Sequence, residues 1–325
     1  MDKLASIKAP VANELAEFSA LFSSTLVSDN PLLHEVLSHV AKRKGKMMRP
    51  ILVMLIARLF GAINSKSLHA AVALELLHTA SLVHDDVVDE SSERRGLPSV
   101  NAIYNNKVSI LSGDYLLATA LLQAANTNNV DIINVISCLG KNLSEGELLQ
   151  LSSVADSAIS EKVYFSIIEK KTAALFAASA KVAALSVGAS DEELKLATKY
   201  GEIVGTCFQI RDDIFDYYNK DQIGKPTGND MREGKLTLPA IYAVNNSKEN
   251  IEILSLVEKV KQQKASNEEI QALIDFSIQA GGIDYAYGAI ERMRVEAIQL
   301  LDYFADSEVK KALVAYVDFV AERTI

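Results

Sequence analysis

The sequence predicts an all-α fold. Apolar residues recur at helical spacings, as in Leu74 and Leu77, and the alternating runs typical of strands are few. No proline stands between Pro98 and Pro226, so several long helices can form without this helix breaker. The chain has 325 residues and is 49% hydrophobic, which is enough to bury a large core. No segment resembles a linker, and we expect a single domain over residues 1–325.

Helix ends are expected where Gly, Asn, Ser and Asp cluster, because these residues favour turns and caps. Each such segment should separate two helices. The six segments are FGAINS (60–65), ANTNNVD (125–131), SVADSAIS (153–160), SVGASDEE (186–193), NNSKEN (245–250) and AGGID (280–284).

Composition limits the possible partners and compartments. The net charge of -9 and the pI near 5.2 argue against a general nucleic-acid surface, which needs diffuse basic patches. Cys138 and Cys207 are the only cysteines, so we expect no disulfide framework and a reducing compartment. The first residues lack the apolar run of a signal peptide, and we expect a cytoplasmic protein. The longest apolar runs, Pro50 to Ala57 and Thr172 to Ala189, are too short or too interrupted to span a membrane.

Two aspartate clusters share one pattern. The segment LVHDDVVDESSERRG (82–96) contains Asp-Asp-x-x-Asp, and QIRDDIFDY (209–217) repeats it. Both clusters follow an apolar helix and lead into a basic segment that contains Gly and Pro. The first and last aspartates of each cluster lie four residues apart and therefore share a helix face, with the middle aspartate beside them. The six carboxylates are Asp85, Asp86 and Asp89 in the first cluster and Asp212, Asp213 and Asp216 in the second.

Metal binding is the chemistry that this pattern favours. A single copy could be a solvated helix end or an N-cap, but two copies in the same setting indicate a shared function. Six carboxylates around one cavity repel each other unless divalent cations lie between them. Oxygen ligands without paired His or Cys favour Mg²⁺, with Mn²⁺ as a substitute. Mg²⁺ takes its remaining ligands from water and substrate phosphates.

Two other metal sites are disfavoured by spacing. A di-iron helical bundle needs two Glu-x-x-His pairs, and the sequence offers only ELLH (75–78). The histidines of HEVLSH (34–39) lie five residues apart, whereas the zinc-protease motif needs them four apart.

Further motifs accompany the aspartates in order: GKMMRP (45–50), ELLHTASLVHDD (75–86), RRG (94–96), EGELLQL (145–151), EKKTAALF (169–176) and GKPTGNDMREGKLTLP (224–239). On these motifs the chain resembles the trans-isoprenyl diphosphate synthases, and most of all their long-chain, octaprenyl-forming members. Met47 departs from the family, in which many members have a basic residue. The resemblance implies a single helical bundle of the isoprenoid synthase type with a central active-site cavity.

The resemblance also implies a prenyl transfer reaction. An allylic diphosphate, expected to be farnesyl diphosphate, ionises with the help of Mg²⁺; isopentenyl diphosphate attacks the carbocation, and a proton is then lost. The released diphosphate is the expected base. Repeated cycles would give a long all-trans polyprenyl diphosphate, expected to be octaprenyl, for a quinone side chain.

Basic and polar residues take roles in that reaction by the same resemblance. The residues expected to face isopentenyl diphosphate are Lys46, Arg49, His78 and Arg95, and those expected to face the allylic diphosphate are Arg94, Lys171 and Lys225. Arginine suits this work because its planar fork binds two phosphate oxygens at once. Lys235 is expected to contact diphosphate after closure of the loop Gly224–Gly234. Thr172 and Gln209 are expected to flank the carbocation, where their dipoles can stabilise positive charge, with Lys171 as the third catalytic residue.

Some residues keep a second interpretation. His78 could be a core histidine. Glu147 and Gln150 lie three residues apart on one helix face, where they either line the cavity through water or form an exposed stripe.

Product length depends on residues deeper in the cavity. Ser81 lies four residues before Asp85, one helix turn or roughly 6 Å away, and Ala80 lies beside it. Bulky residues form a floor here in short-chain relatives, so these small side chains favour a long-chain product. Close helix packing is the other reason for small residues. A second floor from residues such as Leu117 or Leu121 would set the final length.

Three alternatives to a long-chain synthase remain to be weighed. A geranylgeranyl or shorter-chain synthase would use the same chemistry. A noncatalytic partner subunit should have lost cluster or basic residues, and this chain retains them. A terpene cyclase would combine the first cluster with a different second metal motif. The resemblance further implies a homodimer, and a long lipid product suggests transient membrane contact during release.

Overall fold

A computed structural model confirms the all-α prediction. It describes residues 3–42, 45–94, 96–155, 160–218 and 227–323, without the side chains of residues 153–155. Within these ranges the only strands are β1 (Glu93–Arg94) and β2 (Leu97–Pro98), which pair antiparallel as a short hairpin.

The helices of the described residues are α1 (Lys3–Lys8), α2 (Ala12–Thr25), α3 (Pro31–Ala41), α4 (Met48–Phe60), α5 (Ser65–Val88), α6 (Val100–Tyr104), α7 (Asn106–Asn126), α8 (Val130–Ala155), α9 (Glu161–Ile168), α10 (Ala174–Ser186), α11 (Asp191–Phe215), α12 (Asn229–Arg232), α13 (Leu238–Asn245), α14 (Ile251–Lys261), α15 (Asn267–Gln279), α16 (Gly282–Leu301) and α17 (Glu308–Glu322). A 3₁₀ turn, Ala9–Val11, joins α1 to α2, and a π-helical turn, Glu169–Ala173, joins α9 to α10. All six predicted boundaries separate helices; the boundary at 153–160 includes residues 156–159, which lie outside the described ranges.

Side-chain caps explain why Asn- and Ser-rich segments end the helices. Asn64 and Ser67 form a reciprocal capping box at the start of α5, in which each side chain accepts the other residue's backbone N–H. Ser266 and Glu269 form the same box at the start of α15. Such caps pair N–H groups that have no partner inside the helix, and each contributes about 1 kcal/mol.

The chain groups into two compact units. The first unit contains Met1–Lys141, Leu175–Gly201 and Phe304–Tyr316, and the second contains Asn142–Ala174, Glu202–Tyr303 and Val317–Ile325. The single domain expected over residues 1–325 stays a prediction.

The core of the first unit surrounds α4 and α5. The residues from Ile51 to Ala57 are buried on every side of α4, and α5 packs along α7. Tyr200 and Tyr316 are also buried, and their hydroxyls donate to the backbone carbonyls of Leu313 at 2.6 Å and Met48 at 2.8 Å. Both large side chains therefore enter the core without an unpaired hydroxyl.

In the second unit, α13 lies against α15 and α16. At Gly282 an added Cβ would stand 2.2 Å from the carbonyl oxygen of Pro239, so this close approach requires glycine. The Tyr217 hydroxyl lies 3.1 Å from Thr237 Oγ1 and accepts the backbone N–H of Ala240 at 3.1 Å. These bonds fix the start of α13 beside the C-terminal end of α11, where the second aspartate cluster lies.

Among the described residues one helix, α7, is long and apolar enough to cross a membrane. Its most apolar 18 residues have a mean hydropathy of 1.3, and 33% of that window is buried. The apolar runs weighed in the sequence lay elsewhere, so sequence reasoning missed this helix. A single helix of this kind is weak evidence for insertion, because core helices of water-soluble proteins have the same properties.

Candidate active site

The first aspartate cluster lies in the last turn of α5. Asp85 is half-buried, and Asp89, which ends the helix, is exposed. Asp86 is 0% exposed, and its Oδ1 accepts a hydrogen bond of 2.5 Å from Arg94 Nε. The middle carboxylate is thus committed to an internal ion pair, while the outer two stay accessible.

The hairpin of β1 and β2 brings Arg94 to this carboxylate. Gly96 supplies the turn, with a φ of 74° that side-chain-bearing residues rarely adopt. The Asn101 amide donates to the backbone carbonyls of Asp86 at 3.1 Å and Ser91 at 3.2 Å, which ties the end of α5 to the start of α6. Arg95 lies outside the described residues.

The other basic residues predicted in the first unit lie on or before buried helices. Lys46 is exposed and precedes α4. Arg49 lies in the first turn of α4, with its guanidinium 5.1 Å from the centre of the Phe176 ring in a cation–π contact. His78 is half-buried on α5. Their contacts with isopentenyl diphosphate stay predictions.

In the second cluster, as in the first, the middle aspartate is buried and the outer two are more exposed, but their partners differ. The Asp212 side chain is 42% exposed and pairs with Arg323. Asp213 is 4% exposed, and two neutral groups hold it: Tyr164 Oη donates to Oδ2 at 2.6 Å, and Gln209 Nε2 donates to Oδ1 at 2.7 Å. Burial raises the pKa of Asp213 to about 7; the two hydrogen bonds act against this rise, and the neighbouring aspartates add to it.

Asp216 holds the segment that follows the cluster. Its two carboxylate oxygens accept backbone hydrogen bonds of 3.0 Å from Asn229 and Asp230. Burial raises the pKa of Asp230 well above its usual range, and the charges of Asp213 and Asp216 raise it further while Lys235 lowers it. Sequence reasoning missed Asp230, although it lies inside the motif GKPTGNDMREGKLTLP.

The π-helical turn after α9 presents two predicted catalytic residues. Lys171 Nζ donates to Gln150 Oε1 at 3.0 Å and forms an ion pair with Glu147. Thr172 Oγ1 donates to Gln209 Oε1 at 2.6 Å. Glu147 and Gln150, for which the sequence left two interpretations open, therefore both contact this lysine. Short π-helical turns often mark functional sites.

A cavity of about 240 Å³ in the second unit gathers these groups. Six of the residues that line it were candidates from the sequence: Gln150, Lys171, Thr172, Gln209, Asp213 and Lys235. The polar lining residues that sequence reasoning missed include Tyr164, Asp230 and Lys261. Lys261 lies on α14, outside every motif, so no local signal marks it. Val163, Ile167 and Ile168 give the cavity an apolar wall. The cavity can thus hold a charged head group beside an apolar chain. Lys225 and the other loop residues up to 226 lie outside the described residues.

The carboxylates suit a hard divalent cation that arrives with a phosphate ligand. In the described parts of the chain, no three His, Cys, Asp or Glu residues are gathered closely enough to hold a metal ion by themselves. Mg²⁺ does not need such a cage, because it binds through one or two carboxylates together with water and substrate phosphates. The accessible outer aspartates are donors of this kind: Asp85, Asp89, Asp212 and Asp216.

Known proteins resemble this chain over nearly its full length. The polyprenyl synthetase family matches residues 30–276. The octaprenyl diphosphate synthase of Escherichia coli is 31% identical over 98% of this chain and 99% of its own length. A solved geranylgeranyl pyrophosphate synthase from Bacteroides thetaiotaomicron is 51% identical, with a TM-score of 0.88 over 99% of this chain and 100% of that one. A polyprenyl synthase from Caulobacter crescentus, solved with calcium and isoprenyl diphosphate, is 30% identical, with a TM-score of 0.92 over 98% of each chain.

The helical fold, the paired aspartate clusters and these relatives define a trans-prenyl diphosphate synthase, an enzyme that transfers prenyl groups. The chain belongs to the polyprenyl synthetase family. Its relatives range from geranylgeranyl through heptaprenyl and octaprenyl to decaprenyl diphosphate synthases, so family membership leaves the product length open.

Proposed function

We propose that this enzyme extends farnesyl diphosphate with several isopentenyl units to a long-chain all-trans polyprenyl diphosphate of about octaprenyl length, for a quinone side chain. The main observation in its support is that the side chains one helix turn before Asp85, those of Ala80 and Ser81, are small. Ala80 is 3% exposed, and the Ser81 hydroxyl donates to the carbonyl oxygen of His78 at 2.9 Å. Neither side chain is large enough to block a growing prenyl chain.

The metal ligands in this proposal are the accessible outer aspartates of the two clusters. Mg²⁺, when bound, supplies Lewis-acid stabilisation of the leaving diphosphate. The sequence predicted all six aspartates as metal ligands. In this proposal the middle ones, Asp86 and Asp213, act as supports instead, because they are only 0% and 4% exposed. They face Arg94 in one cluster and Tyr164 and Gln209 in the other.

A chain of hydrogen bonds runs from Thr172 through Gln209 to Asp213, and we call it the amide relay. In this proposal it orients the dipoles that face the carbocation. The Gln209 amide donates to Asp213 and accepts from Thr172, so both of its ends have a hydrogen-bond partner that orients it. Preorganised dipoles of this kind stabilise developing charge without reorganising during the reaction. Lys171 borders the same cavity and would bind the diphosphate.

The basic residues divide between two diphosphates. Lys46, Arg49, His78 and Arg95 would bind isopentenyl diphosphate, and Arg94, Lys171 and Lys225 would bind the allylic diphosphate, joined by Lys235 after loop closure. Arg94 is held in place for this role, because its Nε donates to Asp86. The released diphosphate serves as the base, so no side-chain base is required.

A geranylgeranyl diphosphate synthase is the second candidate. The observation in its favour is the 51% identity to the Bacteroides thetaiotaomicron protein, well above the 31% identity to the Escherichia coli octaprenyl diphosphate synthase. The chemistry would be the same, with a floor nearer the aspartates.

We also propose a cytoplasmic homodimer that uses α7. One side of α7 is buried within the first unit, while the other carries an exposed apolar row: Ile110, Leu111, Leu117, Leu121 and Leu122. Exposed apolar side chains grouped on one surface helix favour a contact with another molecule. A second copy of the chain would cover it, and a transient membrane contact would serve product release.

Product analysis tests the function directly. Purified protein is incubated with farnesyl diphosphate, excess isopentenyl diphosphate and Mg²⁺, and products are separated by length. We expect products of octaprenyl length that disappear with a chelator. Geranylgeranyl-length products would support the second candidate, and no product with any allylic primer would indicate a noncatalytic subunit.

A substitution at the proposed open floor tests the length assignment. Ser81→Phe should shorten the product, whereas Lys66→Phe, on the exposed first turn of the same helix, should not.

A further inference from the structure

We propose that Arg323 is a built-in counter-ion of Asp212, which competes with the divalent cation for that carboxylate and so sets the metal affinity of the second aspartate cluster. The inference rests on the proposed function, in which Asp212 is a metal ligand. It adds a residue from a part of the sequence in which no motif was found.

The side chain of Arg323 is held in place by several contacts. Its Nη2 forms an ion pair with Asp212 Oδ1 and donates to the carbonyl oxygen of Phe208 at 3.3 Å. The guanidinium lies 4.0 Å from the centre of the Phe208 ring and 5.3 Å from that of Phe215. The side chain is only 12% exposed. Stacking on two rings favours arginine over lysine, because the guanidinium is planar and weakly hydrated.

The cluster itself anchors the backbone of Arg323. Arg211, which directly precedes Asp212, donates from Nε to the carbonyl oxygen of Arg323 at 2.9 Å. Arg211 is fixed in turn by the rings of Phe215 and Tyr287, at 5.1 and 5.0 Å. The ion pair is therefore part of a packed arrangement and differs from a mobile surface contact.

Competition follows from the place of this ion pair. The Asp212 side chain is 42% exposed, so a hydrated cation can reach it from solvent, but Oδ1 is already occupied by the guanidinium. A divalent ion at that oxygen would repel Arg323 at contact distance, and the protein must shift one cation to accommodate the other. Asp216 differs because backbone N–H groups, which carry no net charge, hold its oxygens.

Metal binding at the second cluster should therefore depend on whether diphosphate is bound. Without diphosphate, Arg323 neutralises Asp212 and keeps metal occupancy of the second cluster low. A diphosphate adds negative charge that attracts the metal and offers the displaced guanidinium a new partner, since arginine binds phosphate oxygens well. Arg323 therefore acts as a positioning residue for metal loading.

Mn²⁺ titration followed by electron paramagnetic resonance tests this without turnover. The full chain is titrated with Mn²⁺ alone, and free Mn²⁺ is measured. We expect Arg323→Gln to lower the Kd by about tenfold, equivalent to about 1.4 kcal/mol. Arg323→Lys should give a smaller change, because the positive charge remains. The gain should vanish in the double variant Asp212→Asn with Arg323→Gln. Arg294→Gln is the matched control, since Arg294 pairs with Asp318 at 2.7 Å in the same unit.

Two results would separate the inference from the proposed function. If Asp212→Asn weakens Mn²⁺ binding but neither Arg323 variant changes it, Asp212 is a ligand and the competition is absent. If Asp212→Asn has no effect, Asp212 is not a ligand, and the proposed metal site is wrong as well. Thermal unfolding accompanies each titration; should Arg323→Gln lose its fold, Arg323→Met decides, because it removes the charge but keeps an apolar side chain against the rings of Phe208 and Phe215, and an unchanged Kd there overturns the inference.

Discussion

The two aspartate clusters have the same spacing but opposite supports for their middle residue. Asp86 is held by the guanidinium of Arg94, eight residues further along the chain, whereas Asp213 is held by a hydroxyl and an amide. Asp86 thus lies against a cationic partner, while burial between two neutral donors raises the pKa of Asp213. One motif can therefore carry two different electrostatic states, and the partners decide which.

The largest expected difference is in stability. Asp86→Ala leaves the Arg94 charge without its carboxylate and should lower the free energy of unfolding by about 3 kcal/mol. Asp213→Ala leaves only neutral donors unpaired and also removes repulsion from neighbouring aspartates, so it should cost about 1.5 kcal/mol. Urea unfolding of the two variants measures the difference, and equal losses would contradict the contrast in supports.

Loss of the amide relay should have the next largest effect, this time on turnover. Gln209→Leu removes the dipole between Thr172 and Asp213 and should lower kcat about 100-fold, or about 2.7 kcal/mol. The KM for the allylic diphosphate should change much less. The exposed Gln279→Leu on α15 is the control. A rise in KM at constant kcat would instead make Gln209 a substrate-binding residue.

In metal-free protein, the pH dependence of the unfolding free energy should show whether Asp213 keeps a proton. The pKa of Asp213 rises from 3.8 to about 7 in the folded protein. The folded state therefore retains a proton that the unfolded chain releases, and this stabilisation is complete below pH 4 and is lost as the pH rises toward 7. The slope is at most about 1.4 kcal/mol per pH unit. Asp213→Asn should reduce the slope between pH 5 and 7, with the remainder coming from Asp230, whose pKa is also raised; an unchanged slope would show that Asp213 is already ionised.

The smallest expected effect comes from one of the two neutral donors. Tyr164→Phe removes the hydroxyl from Asp213, but Gln209 still holds the other oxygen, so the loss in unfolding free energy should be about 1 kcal/mol. Tyr285→Phe is a matched control, because its hydroxyl donates to Glu161 at 2.8 Å outside the cluster. A loss as large as that of Asp213→Ala would mean that Tyr164 alone supports the carboxyl.

Local rules explain what the sequence could predict. Turn-forming residues predicted the helix ends, and the spacing of four predicted that the two outer aspartates of each cluster share one helix face. The sequence could not show which carboxylate is buried, because that depends on partners elsewhere: Tyr164 lies 49 residues before Asp213, and Arg323 lies 111 residues after Asp212. The π-helical turn left no signal either, since EKKTA contains mostly ordinary helix formers.

The most direct test of this division of roles is Mn²⁺ binding in the presence of pyrophosphate to Asp89→Asn and Asp213→Asn. Asp89 is exposed at the end of α5, and Asp213 is enclosed by its hydrogen-bond partners. If the outer aspartates bind the cation and the middle ones support the site, Asp89→Asn should weaken binding about tenfold at pH 6. Asp213→Asn should stay within about threefold of the unaltered protein, because the neutral amide has the shape of a carboxyl whose pKa is raised to about 7. Weaker binding by Asp213→Asn than by Asp89→Asn would contradict this division and make the buried carboxyl a ligand.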